Sequence, residues 1–277
     1  MYREKAIFRS QKQQSDDSPE LTTDNPEPSD EKEKLRILQW NADGINTKIH
    51  ELRERCKDLD LDIVLIQESK LRDDQKADPQ IPGYATIRVD RKNRQGGGLI
   101  SFVRKSVSFE RNTDECKNGT EVSTFSVKMS KKKWIKISNI YCPPDSQAHE
   151  DLRLASEIIP AETDSLIGGD FNGHSLLWPT DDRGTEMEDW AISKDLIVLN
   201  DGSPTRVNKA TGNESTPDVT LCGRAWNNKT TWRVEDPIGS SDHTPILVEV
   251  HTKVKHVNLL PRTTRWKSRK VDWEEFK

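Results

Sequence analysis

From Leu35 onward, short apolar runs alternate with polar stretches at two distinct periods. "LRILQW" and "LDIVLIQ" are rich in Leu, Ile and Val, and they flank "TKIHELRERCKDLD", where Ile49, Leu52, Cys56 and Leu59 recur at helical spacing. Short apolar runs suit buried strands, and the intervening spacing suits a helix with one apolar face. The unit predicted is strand, helix, strand, a parallel pair covered by the helix. Further strands are predicted for "YATIRVD", "GGGLISFVRKSVSFE", "TEVSTFSVKM", "KKWIKISNIYCPP", "DSLIGGD", "IVLND", "TPDVTLC", "KTTWRVE" and "TPILVEV". Helices are predicted for "SQAHEDLRLASEII" and "GTEMEDWAISKDL". About ten strands interleaved with three helices, without internal repeats, predict one α/β domain over residues 35–251. Its expected architecture is a four-layer αββα sandwich, two mixed β-sheets packed face to face with helices outside.

The ends differ from this middle. Residues 1–34 lack apolar periodicity and carry six basic against nine acidic side chains, the composition of a disordered acidic leader. Residues 252–277 carry eight basic against three acidic side chains and are predicted to be a basic linker. Such a tail suits a phosphate backbone and equally a solvated linker. The middle holds 29 basic against 35 acidic side chains, which disfavours DNA holding by charge alone and suits carboxylates gathered around a divalent cation. No apolar stretch is long enough for a membrane span or a secretory signal, so the expectation is a soluble, intracellular protein with no membrane partner. Cys56, Cys116, Cys142 and Cys222 contain no CxxC pair, which predicts ordinary reduced thiols rather than a zinc site or a disulfide framework. Gly96, Gly97 and Gly98 are followed by a strand and not by GK[ST], so a tight hairpin connection is favoured over a phosphate cradle.

Five segments share one feature: an apolar strand ends and a polar residue stands where a loop begins. Asn41 follows "ILQW", Glu68 follows "VLIQ", Tyr141 closes "KISNIY", Asp170 and Asn172 close "SLIGGDFN", and Asp242 and His243 precede the last strand. In a layered α/β domain such strand ends converge on one rim. Singly, each has a plainer reading. Asn41 before Gly44 is a turn former, Glu68 a loop cap, Asp170 an Asx-turn, and a lone histidine a hydrogen-bonded structural residue.

Together, "LQWNADG", "IQE", "NIYCPP", "GGDFN" and "SDHTPI", in this order and at these intervals, resemble the endonuclease/exonuclease/phosphatase superfamily over roughly residues 35–250. "GGDFNGHSLLW", "DRGTEMEDW", "LIVLNDGSPTR", "STPDVTL" and "SDHTPI" resemble more narrowly the apurinic-type endonuclease domain of jockey-like non-LTR retrotransposons. The tail "RTTRWKSRKVDWEEF" is similar to the linker that leads, in those polyproteins, to a reverse transcriptase. No reverse transcriptase lies within the 277 residues, so the expectation is a piece of a longer reading frame.

The resemblance implies a Mg²⁺-dependent DNA endonuclease, with Mn²⁺ as a substitute, acting on double-stranded DNA. It would nick a target strand and leave a 3′ hydroxyl to prime reverse transcription, in the nucleus at its point of action. Retrotransposon RNA would be met only through downstream regions. Glu68 is the implied metal ligand, with Asn41 as amide ligand or orienter, Asp242 as the carboxylate on the far side, and Asp170 also near the metal. Asp170 would position or deprotonate the attacking water, and Asn172 and Tyr141 would address the scissile phosphate. Asp218 would hold His243 for phosphate binding. Because neighbours in an extended segment point to opposite sides, Asp242 is expected to face the metal and His243 the phosphate.

The resemblance leaves His50, His149, His174, His251 and His256 structural or solvated. Trp178, Trp226 and Trp232 are divided between a DNA groove and the core. Two rivals stand beside the nicking enzyme: an abasic-site repair endonuclease or phosphatase of the same superfamily, and a catalytically silent remnant that binds nucleic acid or protein. The segments between Asn172 and Asp218 argue against the first, and the presence of Glu68, Asp170, Asn172 and His243 argues against the second.

Overall fold

The computed structural model describes residues 31–72, 74, 77–91, 96–130, 132–144, 148–159, 163–173 and 182–256. The first unit is the expected one: strand β1 (Glu31–Asn41), helix α1 (Ile49–Asp58) and strand β2 (Ile63–Gln67), with β1 and β2 parallel. Strands β3 (Tyr84–Val89) and β4 (Leu99–Arg104) add antiparallel at one side. Strands β5 (Phe109–Lys117), β6 (Thr120–Lys128) and β7 (Trp134–Tyr141) open a second sheet. Helix α2 (Ala148–Ile158) then crosses to β8 (Ser165–Asp170), which is parallel to β7. Helix α3 (Asp182–Ser193) and strand β9 (Leu196–Val198) follow, then the small hairpin of β10 (Arg206–Val207) and β11 (Glu214–Ser215). Strand β12 (Asp218–Gly223) completes the second sheet, and β13 (Thr230–Val234) and β14 (Ile246–Lys255) complete the first.

Each sheet has six strands and a single parallel pair in its interior: β13-β14-β1-β2-β4-β3 in one, β5-β6-β7-β8-β12-β9 in the other. The two mixed sheets pack face to face as expected. Period-two alternation assigns the side chains. From β1, Leu35 and Ile37 enter the core between the sheets, with Phe125, Ile137, Leu166 and Trp226, while Leu38 and Trp40 face α1. The outer face of the second sheet packs Ile140, Ile167 and Leu221 against Leu152 of α2 and Met187 and Trp190 of α3. The layers are therefore helix, sheet, sheet, helices.

At one end the inter-sheet layer turns polar. Gln39 Nε2 donates to the carbonyls of Gly169 (3.0 Å) and Val219 (3.3 Å), and Thr220 Oγ1 donates to Gln39 Oε1 (2.8 Å). Gln67 Nε2 donates to Asn139 Oδ1 at 2.7 Å, and Asn139 Nδ2 donates to Ile66 O at 3.1 Å. These bonds pair buried amide groups across the two sheets beneath the rim, although Gln67 Oε1 has no partner among the described residues. The glycine pair of "GGDFN" belongs here: a Cβ at Gly168 would lie 2.6 Å from Gln39 Oε1.

Several boundaries differ from the sequence reading. Fourteen strands are present among the described residues, not about ten, partly because "GGGLISFVRKSVSFE" divides into β4 and the start of β5. Residues 31–34, expected in the leader, belong to β1, where Lys32 Nζ meets Asp60 Oδ2 at 2.6 Å and Lys34 Nζ meets Glu249 Oε2 at 3.3 Å. Residues 252–255, expected in the linker, continue β14, and His256 bridges to Val107. Charge conceals both extensions in the sequence, because ion pairs and backbone pairing hold most of these positions and only Val254 among them is buried in the core. No disulfide joins the cysteines, and Cys56, Cys142 and Cys222 are buried. Among the described residues no helix is long and apolar enough to cross a membrane.

Candidate active site

The two parallel pairs fix where the chemistry gathers. β1 and β2 pair Asn41 with Gln67, so Asn41 and Glu68 emerge together at the carboxyl ends of neighbouring strands. β7, β8 and β12 pair Tyr141 with Asp170 and Asp170 with Asp218. The open ends of both sheets thus meet at one rim, together with the turn before β14. A cleft of about 420 Å³ opens there, lined among others by Asn41, Glu68, Asn172, Arg206, Asp242 and His243.

In and beneath it the predicted residues form two hydrogen-bonded groups. Asn41 Nδ2 donates to Asp170 Oδ2 at 2.7 Å and to Glu68 Oε1 at 3.3 Å, while Asn41 Oδ1 accepts the Asp43 N–H at 3.0 Å. Tyr141 donates its hydroxyl to Glu68 Oε1 at 3.0 Å. Asn172 Nδ2 donates to Cys142 O at 2.9 Å and to Asp170 Oδ2 at 3.3 Å, and the Asn172 N–H donates to Asp170 Oδ1 at 2.9 Å. His243 Nδ1 lies 2.8 Å from Asp218 Oδ2, which also accepts Thr205 Oγ1 at 2.7 Å. All seven residues singled out by the strand-end pattern, and Asp218 from the resemblance, therefore lie at one rim.

The pair at residues 242 and 243 departs from expectation. The chain bends at Asp242, just before His243 pairs with Arg206 in a β-bridge, and both side chains line the same cleft. Asp242 Oδ1 is 4.0 Å from His243 Nε2.

Electrostatics separate Asp170 from Asp242. Burial, with Asp218 adjacent, pushes the Asp170 carboxyl up to about 7 against the pull of His243. Burial disfavours charge on His243 as well, but Asp218, assisted by Asp170 and Asp242, raises it to about 9, so the imidazole is a cation near neutrality. Burial also opposes ionisation of Asp242, yet the Arg206 hydrogen bond and His243 hold it below the ordinary carboxylate range. Burial and the Glu68 charge push the Tyr141 hydroxyl upward, which keeps it a donor.

Four residues of the site carry no motif of their own. Lys70 Nζ lies 3.1 Å from Glu68 Oε2 and pairs with Asp43. Arg206 Nε donates to Asp242 Oδ2 at 2.7 Å. Thr205 shares Asp218 with the histidine, and the buried Lys48 Nζ donates to the carbonyls of Ala42 (2.7 Å) and Asp43 (2.8 Å), bracing the loop after Asn41. The signal available in sequence was thin: a Lys two residues beyond Glu68, and the "TR" of "GSPTR". Backbone conformation marks the same place. Of seven non-glycine residues with positive φ among those described, Asp43, Glu68, Lys70 and Asn172 are four. Such conformations persist only where surroundings enforce them, and they cluster at functional sites.

The histidines outside the pattern stay outside the cleft where they are described. His50 and His251 are exposed, and His256 Nδ1 lies 2.7 Å from Ser106 Oγ. Trp226 is fully buried in the core and Trp232 packs against it, donating to Thr220 Oγ1 at 3.0 Å. His174, Trp178 and the His149 side chain lie outside the described residues.

The donor set fits a hard divalent cation. Glu68, Asp170 and Asp242 bring carboxylate oxygens to the rim, no sulfur or neutral imidazole competes, and the buried Asp218 Oδ1 has no hydrogen-bond partner among the described residues. Asp170, Asp218 and His243 also place ligand atoms within 4.8 Å of one another. With His243 protonated, this trio is held together by the imidazolium itself.

Two six-stranded sheets face to face, with the carboxylate–histidine rim at one end, define a class of fold: the chain is similar to an endonuclease/exonuclease/phosphatase from Bacteroides vulgatus, with a TM-score of 0.59 and 15% identity over 80% of this chain and 100% of that one. The family whose model matches it, over residues 135–247, is described as Endonuclease-reverse transcriptase. The chain is 29% identical over 242 residues to the probable RNA-directed DNA polymerase from transposon BS of Drosophila melanogaster, a match covering 82% of the chain and 25% of that protein. It is 25% identical over 255 residues to the RNA-directed DNA polymerase from mobile element jockey of Drosophila funebris, covering 88% of the chain and 26% of the relative. The chain thus spans about a quarter of the length of these curated relatives. In fold it is similar to the endonuclease domain of TRAS1, a telomere-specific non-LTR retrotransposon, with a TM-score of 0.66 and 20% identity over 79% of this chain and 99% of that one. The catalytic domain of Xenopus laevis APE2 is similar too, with a TM-score of 0.64 and 18% identity over 81% and 94% of the two chains.

Proposed function

We propose that this chain is the endonuclease portion of a non-LTR retrotransposon polyprotein. It hydrolyses a phosphodiester bond in one strand of double-stranded DNA and leaves a 3′ hydroxyl that primes reverse transcription. The observation carrying the proposal is the convergence of Asn41, Glu68, Tyr141, Asp170, Asn172, Asp218, Asp242 and His243 at one rim, in a chain whose relatives are transposon polymerases. Glu68 and Asp242, with Asn41 beside them, would hold Mg²⁺ or Mn²⁺, which supplies charge neutralisation at the phosphate and assistance to the departing 3′ oxygen.

The chain's own residues do the rest. His243, kept protonated by Asp218, binds a phosphoryl oxygen through Nε2–H. Asp170, whose raised carboxyl titrates near neutrality, orients water and accepts its proton. Asn172 and Tyr141 offer donors to the same phosphate once their present acceptors, Cys142 O, Asp170 and Glu68, exchange for it. Arg206, half-buried at the rim and now paired with Asp242, would offer its guanidinium to an adjoining phosphate. In the longer polyprotein, the residues after His256 would connect this domain to a reverse transcriptase that handles the RNA. The site of action would be the nucleus, where target DNA resides.

The test is conversion of supercoiled plasmid to open circles by residues 31–277. It would be run with Mg²⁺ and with chelator, beside Asp170→Ala. Nicking by the parent alone, and only with the cation, supports the proposal. Absence of nicking across several DNA sequences and divalent ions would overturn it in favour of a silent binding domain.

A further inference from the structure

The glycine run before β4 and a buried ion pair behind it take no part in the chemistry above, yet they adjoin it. Arg91 and Glu121 have 6% and 0% side-chain exposure. Arg91 Nε donates to Glu121 Oε1 at 2.6 Å and Nη2 donates to Gly119 O at 2.9 Å. The guanidinium lies over the ring of Tyr141, 5.1 Å from its centroid, where a cation is attracted to the aromatic face. Glu121 is also directly opposite Tyr141 in the pairing of β6 with β7.

The second oxygen of the same carboxylate reaches the other half of the site. Glu121 Oε2 accepts the Gly98 N–H at 2.7 Å. The carbonyls of Gly98 and Gly97 accept the N–H groups of Ser69 (2.9 Å) and Lys70 (2.8 Å). One series of contacts therefore runs from the ion pair to Tyr141 and to the loop that carries Glu68. Glu68 and Lys70 hold φ values of 46° and 50°, which non-glycine residues keep only when their surroundings impose them. The glycines are required for the approach: a Cβ at Gly97 would overlap the Arg91 guanidinium, and one at Gly98 would lie 2.5 Å from Ser69 Oγ.

A buried ion pair is a weak source of stability, because desolvation offsets the attraction and a packed apolar pair serves as well. Its value here is geometric. We infer that Arg91 and Glu121 are positioning residues for the site, setting the ring of Tyr141 and, through Gly97 and Gly98, the conformation of loop 68–70. The kinetic consequence rests on the proposed nicking reaction, whereas the structural consequence does not.

The test is the double variant Arg91→Met/Glu121→Gln, which removes both charges together and retains an acceptor for the Gly98 N–H. Hydrogen exchange is measured on the whole chain, with thermal unfolding as the control for folding. The amides of Ser69, Lys70 and Gly98 are expected to exchange several-fold faster while the other strands keep their protection. The kcat for plasmid nicking is expected to fall about 10- to 100-fold, the usual effect of removing groups that orient a site, with KM for DNA unchanged. Arg91→Lys, which keeps a cation against Glu121, is expected to recover part of both losses. A folded double variant with parental protection at Ser69, Lys70 and Gly98 and parental kcat overturns the inference. Faster exchange in all strands alike also overturns it, because the pair then serves only global stability. If the parent chain nicks no DNA, the exchange measurement still decides the inference while the functional proposal fails.

Discussion

Replacing the Asp170 carboxyl by its amide should move stability and activity in opposite directions. The side chain is completely buried, and burial beside Asp218 holds it at about 7 instead of 3.8. A carboxyl raised in this way binds protons more tightly in the folded chain than in the unfolded one. Its contribution is therefore favourable in acid, declines as pH rises above the unfolded value, and becomes a full cost above the folded value. That cost is on the order of 4 kcal/mol. Asp170→Asn removes it, but the Asn41 Nδ2 group loses the acceptor now 2.7 Å away and the attraction to His243 disappears, together about 2 kcal/mol.

The net expectation for Asp170→Asn is a gain of roughly 2 kcal/mol above neutrality, or about 4 to 8 °C in Tm for a domain of this size. The gain should vanish near pH 5, where the parent carboxyl is largely protonated in the folded chain. The assay is thermal unfolding followed by circular dichroism in excess chelator at pH 5, 6.5 and 8, beside plasmid nicking with Mg²⁺, which the variant should lose. A variant less stable than the parent at pH 8, or a difference that does not change with pH, refutes the electrostatic account of the site.

Asp218→Asn should lower His243 from about 9 toward its ordinary value, read from the pH dependence of its imidazole resonances; an unmoved titration would show that Asp218 does not hold the ring. The parent's histidine contributes stability fully below its unfolded value and loses it as pH rises through about 9, and the variant should lack that decline. Arg206→Ala frees Asp242 from a partly exposed partner 2.7 Å away and should tighten Mn²⁺ binding about two- to fivefold, read by electron paramagnetic resonance, whereas weaker binding would count against Asp242 as a ligand. Trp226→Ala should cost about 3–5 kcal/mol in urea unfolding with little change in nicking per folded molecule, and a loss under about 1 kcal/mol would contradict the ring's place in the inter-sheet core.

What the sequence disclosed follows from where burial is decided locally. β2, fully buried along Ile63–Gln67, and β8, fully buried along Ser165–Asp170, are nearly continuous apolar or small runs and were legible as strands. β5 was mostly hidden, because it lies at the sheet edge with few buried positions and reads "RNTDECK". The strand ends at residues 31–34 and 252–255 looked like tail because charged residues dominate them, although both belong to interior strands. The site was legible where a motif residue caps a strand, as with Asn41, Asp170 and His243. Lys70, Arg206 and Arg91 were not, because a cation's place beside an acid depends on loops that meet only after folding. Gln39, Asn139 and Glu121 illustrate the same limit in the interior: polar residues whose burial is set by partners up to 181 positions away.

The pairing of β1 with β14 has a consequence for how such a domain is carried. Glu31 lies opposite Lys255, so the chain enters and leaves the fold side by side. Asn41, at the other end of that 11-residue strand, stands roughly 33 Å away at the cleft. A domain tethered at both ends from one pole presents its opposite pole outward, like a tool held by its handle. Segments joined before residue 31 or after residue 256 attach at the end of β1 and β14 opposite the rim that carries Asn41.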